Sequence, residues 1–318
     1  MKEIPPKVTI LMPAYNAEKY IAEAIHSVLL QSFKDFRLVI INDGSTDQTQ
    51  NIICSFVDER IQLINQTHSG IASALNRGLS QASSAYIARF DADDICFPDR
   101  LQKQVDFLEK HPYYIVVGSD AEYISENAEH LFHFKCIGHS HEQISEKIYT
   151  TCPFIHSSVM YRKQNIDDAG GYSIHAHNFE DHFLWIQLIK SGKFYNLPMQ
   201  LIKIRFNPAS VTIDERWRGR HFRKLKRDII RKGMISEKEG VYLLNIIKKQ
   251  DVNHIKESSY YALCGKKFLL ENPSPEKARL HFSKAIGSYP FRFDNYAFYT
   301  LSFFPQPVIQ WLYQLKSK

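Results

Sequence analysis

The sequence predicts an α/β fold, a doubly wound mixed sheet with helices on both faces, extended by a helical C-terminal appendage. Three observations carry that expectation. Short apolar runs alternate with segments of helical periodicity as far as about residue 118, the pattern of βαβ units. Turn-rich or acidic clusters close several of those runs, where an open α/β sheet gathers its ligands. The charge then changes sign: residues 1–214 carry 19 Lys and Arg against 25 Asp and Glu, whereas 215–318 carry 21 against 9. An acidic part joined to a basic part reads as two units, 1–214 and 215–318, divided near Asp214.

Taken in order, Lys7–Met12 is a buried strand ended by Pro13, and Ile21, Ala24, Ile25, Val28 and Leu29 follow at helical spacing. Phe36–Ile41 is a second strand, closed by the turn-rich Asn42-Asp43-Gly44-Ser45 and followed by a helix reaching Phe56. Arg60–Ile64 is a third strand, Gly70–Gln81 a helix, and Ala85–Phe90 a fourth strand that runs into a burst of acids. Pro98 takes the first position of a helix whose inner face is Leu101, Val105 and Leu108. Ile115–Gly118 is a further strand. From about 120 to 206 the pattern is mixed, with a helix at Glu180–Lys190 and a strand at Gln200–Arg205. Beyond 214 short helices follow one another between Gly, Asn and Pro residues.

Composition narrows the function. With 44% hydrophobic and 23% charged residues in 318, the chain can bury a sizeable core. Its five cysteines are odd in number and form no CxxC, which points to a reducing compartment and away from disulfides or structural zinc. The charged, proline-containing start predicts no signal peptide, and no run reaches the roughly 20 apolar residues of a membrane span. The cytoplasm is the expected location. Neither a GxGxxG nor a GxxxxGK[ST] loop occurs, against dehydrogenases and P-loop kinases.

The chemistry concentrates at the ends of the early strands. In Asp91-Ala92-Asp93-Asp94 three carboxylates crowd into four residues and repel one another unless a cation compensates. Oxygen donors alone select a hard ion, Mg²⁺ or Mn²⁺; a solvated acidic turn is the plainer alternative. Asn42-Asp43-Gly44-Ser45-Thr46-Asp47 reads as a turn with Ser45 or Thr46 capping a helix, yet that leaves Asp43 free to accept from a base N–H. Pro13-Ala14-Tyr15-Asn16 is a turn bearing an aromatic. His139 and His141 lack a third ligand at useful spacing and read as loop residues.

These segments, with Gly70–Gly78, Pro98–Leu101, Pro153–Met160, Gly170-Gly171-Tyr172 and Glu180–Trp185, resemble in order and spacing the family 2 glycosyltransferases of the GT-A fold over about residues 7–212. The resemblance implies a GT-A-like nucleotide-sugar-binding and catalytic domain of the bacterial surface-polysaccharide type. It implies a donor site in which Tyr15 and Asp43 hold the base, Pro13, Ala14 and Asn16 shape the loop, and Asn76 and Arg205 assist. Asp91 would sit near ribose and metal, and Asp93 would bind the Mn²⁺ or Mg²⁺ that bridges the diphosphate. Asp181 would be the general base of an inverting transfer, with Glu180 beside it and His156 near the acceptor. Asn207 stands where the family often has His. UDP is the commonest donor nucleotide of the family, and the acceptor would be a saccharide or a lipid-linked saccharide.

Two alternatives stand beside that reading. Asn178 could cap a helix with Asp181 at its third position, which would make Asp181 structural. The whole chain could bind a sugar nucleotide as a sensor or assembly partner without turnover; a sugar-1-phosphate nucleotidyltransferase would show a Gly- and Arg-rich loop where Pro13–Asn16 stands. The tail is open too. Residues 216–232 hold nine Lys and Arg against Asp228 alone. A solvated helix, a surface for anionic membrane lipid on the inner face of the cell membrane, and, as a distant third, a nucleic-acid face compete for it. Phe303, Phe304, Trp311, Leu312 and Tyr313 are either membrane anchors or a helical core. A Gln-x-x-Arg-Trp motif is incomplete, with Ile213 before Arg216-Trp217, so transfer of one or a few sugars is expected rather than processive synthesis.

Overall fold

The computed structural model describes residues 5–207, 219–249 and 253–316, with side chains as far as Trp311. The described strands are β1 (Val8–Ala14), β2 (Phe36–Asp43), β3 (Ile61–Gln66), β4 (Tyr86–Arg89), β5 (Ile95–Cys96), β6 (Tyr114–Ile124), β7 (His130–Phe134), β8 (Met160–Arg162) and β9 (Lys193–Arg205). They join in one sheet of order β3-β2-β1-β4-β8-β6-β9-β5, with β7 paired to β6. β3, β2, β1 and β4 run parallel; β8 turns antiparallel to both β4 and β6. The mixed doubly wound sheet is the one the sequence predicts.

The helices between the strands show why these residues fold so. In α1 (Ile21–Leu29) the spacing of Ile21, Ala24, Ile25 and Val28 puts all four on one face, and all are fully buried. Ile21, Ile25 and Val28 each contribute about 1.5–3 kcal/mol by leaving water, and the Ala24 methyl less than about 1 kcal/mol. After α2 (Thr49–Cys54), α3 (Ile71–Gln81) lies close on β1: a Cβ on Gly78 would come within 2.0 Å of Leu11 Cδ1, so only hydrogen lets the helix approach that near. In α4 (Arg100–Lys110) Leu101, Val105 and Leu108 are buried as expected, but the helix starts at Arg100, so Pro98 precedes the N-cap Asp99. Past α5 (His141–Lys147) and α6 (Lys163–Asp168), α7 (Glu180–Leu188) is buried nearly all round, with Trp185 at its centre.

A polar brace inside the sheet layer fixes the neighbourhood of β4. Gln104, fully buried, donates to Val117 O (3.2 Å) and Ser158 O (2.7 Å) and accepts from Arg100 Nε (3.1 Å). Arg100 Nη2 in turn donates to Arg89 O (2.7 Å). Gln104→Leu keeps the volume roughly and strands two buried carbonyls, so a loss of about 1–3 kcal/mol is expected in urea unfolding. A change under about 0.5 kcal/mol would show the brace to be dispensable.

The tail continues as α8 (Arg220–Lys232), α9 (Glu237–Lys249), α10 (Asn253–Leu270), α11 (Pro275–Ser288), α12 (Phe293–Leu301) and α13 (Gln306–Lys316). The boundary expected near Asp214 falls outside the described residues. Contacts divide the chain into one unit of 1–121, 134–204 and 224–244, and a second of 122–133, 205–223 and 245–318. The second unit has its own core, in which Leu131 and Phe206 join Tyr260, Cys264, Phe268, Phe282 and Ile309. In that unit Phe303, Phe304 and Trp311 are exposed at 62%, 49% and 59%, which favours a surface over a helical core for them. The side chains of Leu312 and Tyr313, like Ile213, Arg216 and Trp217, lie outside the described residues. No described helix is long and apolar enough to cross a membrane.

Candidate active site

Parallel pairing places the carboxyl ends of β1 and β2 side by side, Ala14 opposite Asn42, and Phe90 N bonds Leu11 O just beyond β4. Three chain segments of the predicted site therefore leave the sheet along one edge. Asp43 is buried at the tip of β2 and its carboxylate is fully engaged. Oδ1 accepts from Gln66 Nε2 (2.6 Å) and Ser69 N (2.9 Å); Oδ2 accepts from Gly70 N (2.9 Å) and lies 3.0 Å from His68 Nδ1. Gly70 reaches this position with φ 87°, open to glycine. The half-exposed His68 ring also stacks on Tyr15, centroids 4.1 Å apart. Asp43 thus organises the β3–α3 loop around a stacked Tyr15–His68 pair, and His68 is a site residue the sequence did not reveal.

The next loop is tied differently from expectation. Ser45 and Thr46 do not cap α2: Ser45 Oγ accepts from Asn16 N (3.0 Å), and Asn16 Oδ1 accepts from Thr46 N (2.8 Å). Asp47 serves the helix start instead, Oδ1 taking Thr49 N at 3.0 Å and Oδ2 taking Glu18 N at 3.1 Å. Burial pushes its pKa up, but those bonds together outweigh burial and hold it below the usual carboxylate value. Asn16 thereby locks the Pro13–Asn16 turn, Ala14 buried within it, to the Asn42–Asp47 turn.

Beyond β4, oxygens of Asp91, Asp93 and Asp94 lie within 4.8 Å of one another. The donor set is all carboxylate and at a strand end, so it fits a hard divalent ion better than a soft one. Arg89, buried at 2% exposure, forms an ion pair with Asp91. Burial alone would weaken its hold on the proton, but the Asp91 charge more than offsets that and its pKa rises. Its charge is felt by Glu180, His156, Tyr161 and Tyr172, so one internal cation links the metal-type triplet to the far side of the site. Arg89 Nε and Glu180 Oε2 are both buried without a hydrogen-bond partner among the described residues.

On that far side, Ser157 Oγ accepts from Asp91 N (3.0 Å), which fastens the His156–Ser158 turn to the triplet. His156 Nε2 meets Tyr172 OH at 3.0 Å, and Tyr172 OH meets Tyr161 OH at 3.3 Å. Burial, then the Arg89 charge, pushes the His156 pKa well below its usual value, so the ring is neutral. Glu180 opens α7, and burial followed by the charge of Asp181 pushes its carboxyl up to about 7. Asp181 is half-buried; Oδ1 accepts from His182 N (2.6 Å) and Cys152 Sγ donates to Oδ2 (3.5 Å). The capping alternative for Asp181 fails: the N-cap is Phe179 with no side-chain cap, and Asn178 has φ 66°.

Two predicted ligands have other tasks. Asn76 clamps the backbone of Tyr172, Nδ2 to its O and Oδ1 from its N, both 2.8 Å, and so positions the partner of His156. Arg205 belongs to the second unit, is 3% exposed, and donates through Nη1 to Ser125 O (3.4 Å) and Glu126 O (3.1 Å). Through Nη1 it braces the turn of the β6–β7 hairpin. His139 pairs with Asp120 at 3.0 Å, and His141 opens α5 rather than lying in a loop.

Comparison with known proteins adds to this geometry. The family model described as glycosyl transferase family 2 matches residues 9–170. EpsE of Bacillus subtilis, described as a glycosyltransferase, is 37% identical over 213 residues, 63% of this chain and 73% of that protein. The amylovoran biosynthesis glycosyltransferase AmsE of Erwinia amylovora is 27% identical over 215 residues, 66% and 80% of the two chains. Among solved structures, residues 1–349 of TarS from S. aureus with UDP-GlcNAc superpose with TM-score 0.58 at 16% identity, covering 98% of this chain and 92% of that one. The mannosyltransferase PcManGT of Pyrobaculum calidifontis, solved with GDP-Man and Mn²⁺, gives 0.55 at 17% identity over 94% and 86%. The architecture is that of the GT-A fold.

Proposed function

The chain belongs to glycosyl transferase family 2 and is a glycosyltransferase, and from that premise we propose an inverting, metal-dependent transfer of a sugar from a nucleotide diphosphate to a hydroxyl acceptor. The observation that carries the reading is the convergence of the Asp91–Asp93–Asp94 group and the Glu180–Asp181 pair around the buried Arg89. Asp93 and Asp91 would hold Mn²⁺ or Mg²⁺, which in such a place draws off charge building on a departing diphosphate. Tyr15 offers a face for the base. Because the Asp43 carboxylate already has four contacts, a base N–H would take the place of His68 there. Asp181 accepts the proton of the attacking hydroxyl, and attack from the face opposite the diphosphate inverts the anomer. Neutral His156, held by Tyr172, faces the acceptor with Glu180. UDP-sugars are the first donors to try, given the TarS complex with UDP-GlcNAc, and GDP-mannose the second.

The test is a panel of UDP- and GDP-sugars assayed for binding and for hydrolysis with Mn²⁺, Mg²⁺ or chelator. Metal-dependent binding of one donor, lost in chelator, is the expected result. No binding of any donor under either metal would sink the reading and favour a partner without turnover.

A saccharide acceptor for surface polysaccharide, carried on a membrane lipid, suits the name of AmsE and the exposed cations of α8, Arg220, Arg223, Arg227 and Arg231. Those cations would draw the enzyme to an anionic inner leaflet from the cytoplasm. Sedimentation with phosphatidylglycerol vesicles is expected to pull the protein down at low salt and much less at high salt. Absence of binding at both would remove the membrane from the account.

A further inference from the structure

Asp181 has two oxygens in different situations. Oδ1 is taken by the N–H of His182 at 2.6 Å, inside the first turn of α7, and that strong short contact leaves it the poorer proton acceptor. Oδ2 faces a side chain brought from 29 residues away, the thiol of Cys152 at 3.5 Å, within reach for sulfur. Cys152 has one S–H and two acceptors, Asp181 Oδ2 and Phe154 O at 3.6 Å; the charged carboxylate is the stronger. We propose that Cys152 is a positioning residue for the transfer, its thiol fixing Asp181 so that Oδ2 presents a free lone pair to the acceptor hydroxyl.

The choice of a thiol has a chemical reason. A hydroxyl or amide at this place would donate strongly and drain basicity from the oxygen that must take the proton. An S–H is a weak donor, so it restrains the carboxylate's rotation and leaves most of its basicity. The thiol also stays a thiol: burial, then the Asp181 charge, holds its pKa well above the usual value. The charged and titratable groups that face this pair are Glu180 on the same turn, Tyr172 across the site and Lys226 of α8, whose charge reaches Cys152. The thiol contact is one that a single substitution can remove.

This inference rests on Asp181 being the base, and the experiment separates the two. Asp181 is followed directly by its ¹³C carboxyl resonance across pH, the peak being assigned by its absence in Asp181→Asn; this arm needs no donor. Cys152→Ala removes the contact at Oδ2, so that resonance is expected to shift relative to wild type. In Mn²⁺-dependent hydrolysis of UDP-GlcNAc or GDP-mannose, Cys152→Ala is expected to lower kcat about ten-fold through misorientation at an unchanged donor KM. An unchanged Kd for the donor shows that the fold is intact. If Asp181→Asn abolishes hydrolysis while Cys152→Ala leaves the resonance and the turnover as in wild type, the positioning role is wrong and the base stands. If Asp181→Asn hydrolyses donor normally, the base assignment itself falls.

Discussion

Asp181→Asn is expected to cut turnover by about 10²–10⁴, the range a positioned base supplies, while donor binding stays within two-fold or so. The amide keeps the shape and can still meet His182 N, so α7 should start as before. What vanishes is the ability to take a proton at Oδ2. The measurement is kcat against KM for the donor that the panel identifies, alongside calorimetric binding of the same donor. Equal losses in kcat and in affinity would mean that Asp181 binds substrate rather than moving a proton. A pH profile adds a second check. Glu180, held up to about 7 by burial and by the charge of Asp181, should lose the second of those causes in Asp181→Asn and ionise at lower pH.

Asp93→Ala should remove the metal-dependent part of donor binding altogether. A divalent clamp on a diphosphate is worth several kcal/mol, so the variant's affinity in Mn²⁺ should fall by about 10³ to the value wild type shows in chelator. Direct Mn²⁺ titration by electron paramagnetic resonance reads the same loss without any sugar nucleotide. Arg89 makes the comparison informative, because it already balances Asp91 and keeps the remaining cluster from flying apart through mutual repulsion. If the variant holds Mn²⁺ and donor as tightly as wild type, the triplet is an acidic turn and the site of the metal, if any, lies elsewhere.

The parallel half of the fold was legible because its signals are sharp. Fully apolar runs such as Leu38–Ile41 and the one-sided periods of α1 and α4 leave little choice of structure. The antiparallel half was not. β9 runs Lys193–Arg205 with Lys, Asn, Pro and Gln among its apolar residues, and only its last six were visible as a strand. The carboxylates of the site stood out as a charge burst. Arg89 had a quieter signal, a cation inside an otherwise apolar strand, and a cation that must be buried needs a carboxylate partner. His68 and Cys152 gave none, since their roles come from a ring stacked on Tyr15 and from a contact 29 residues away. Asn76 and Arg205 had contacts the sequence did not reveal either: the Asn76 amide pairs with the backbone of Tyr172, and Arg205 Nη1 donates to the carbonyls of Ser125 and Glu126.

The membership of the 122–133 hairpin in the second unit constrains how this protein can be cut and recombined. A truncation after the catalytic segment would leave Leu131 of the hairpin without Tyr260, Cys264 and Phe268 to cover it, an apolar tip facing water. A chimera that exchanged only the residues beyond 214 would pair a foreign set of helices with a hairpin evolved for another. The second structural unit is therefore discontinuous in sequence. Tail and hairpin must change together in any such exchange.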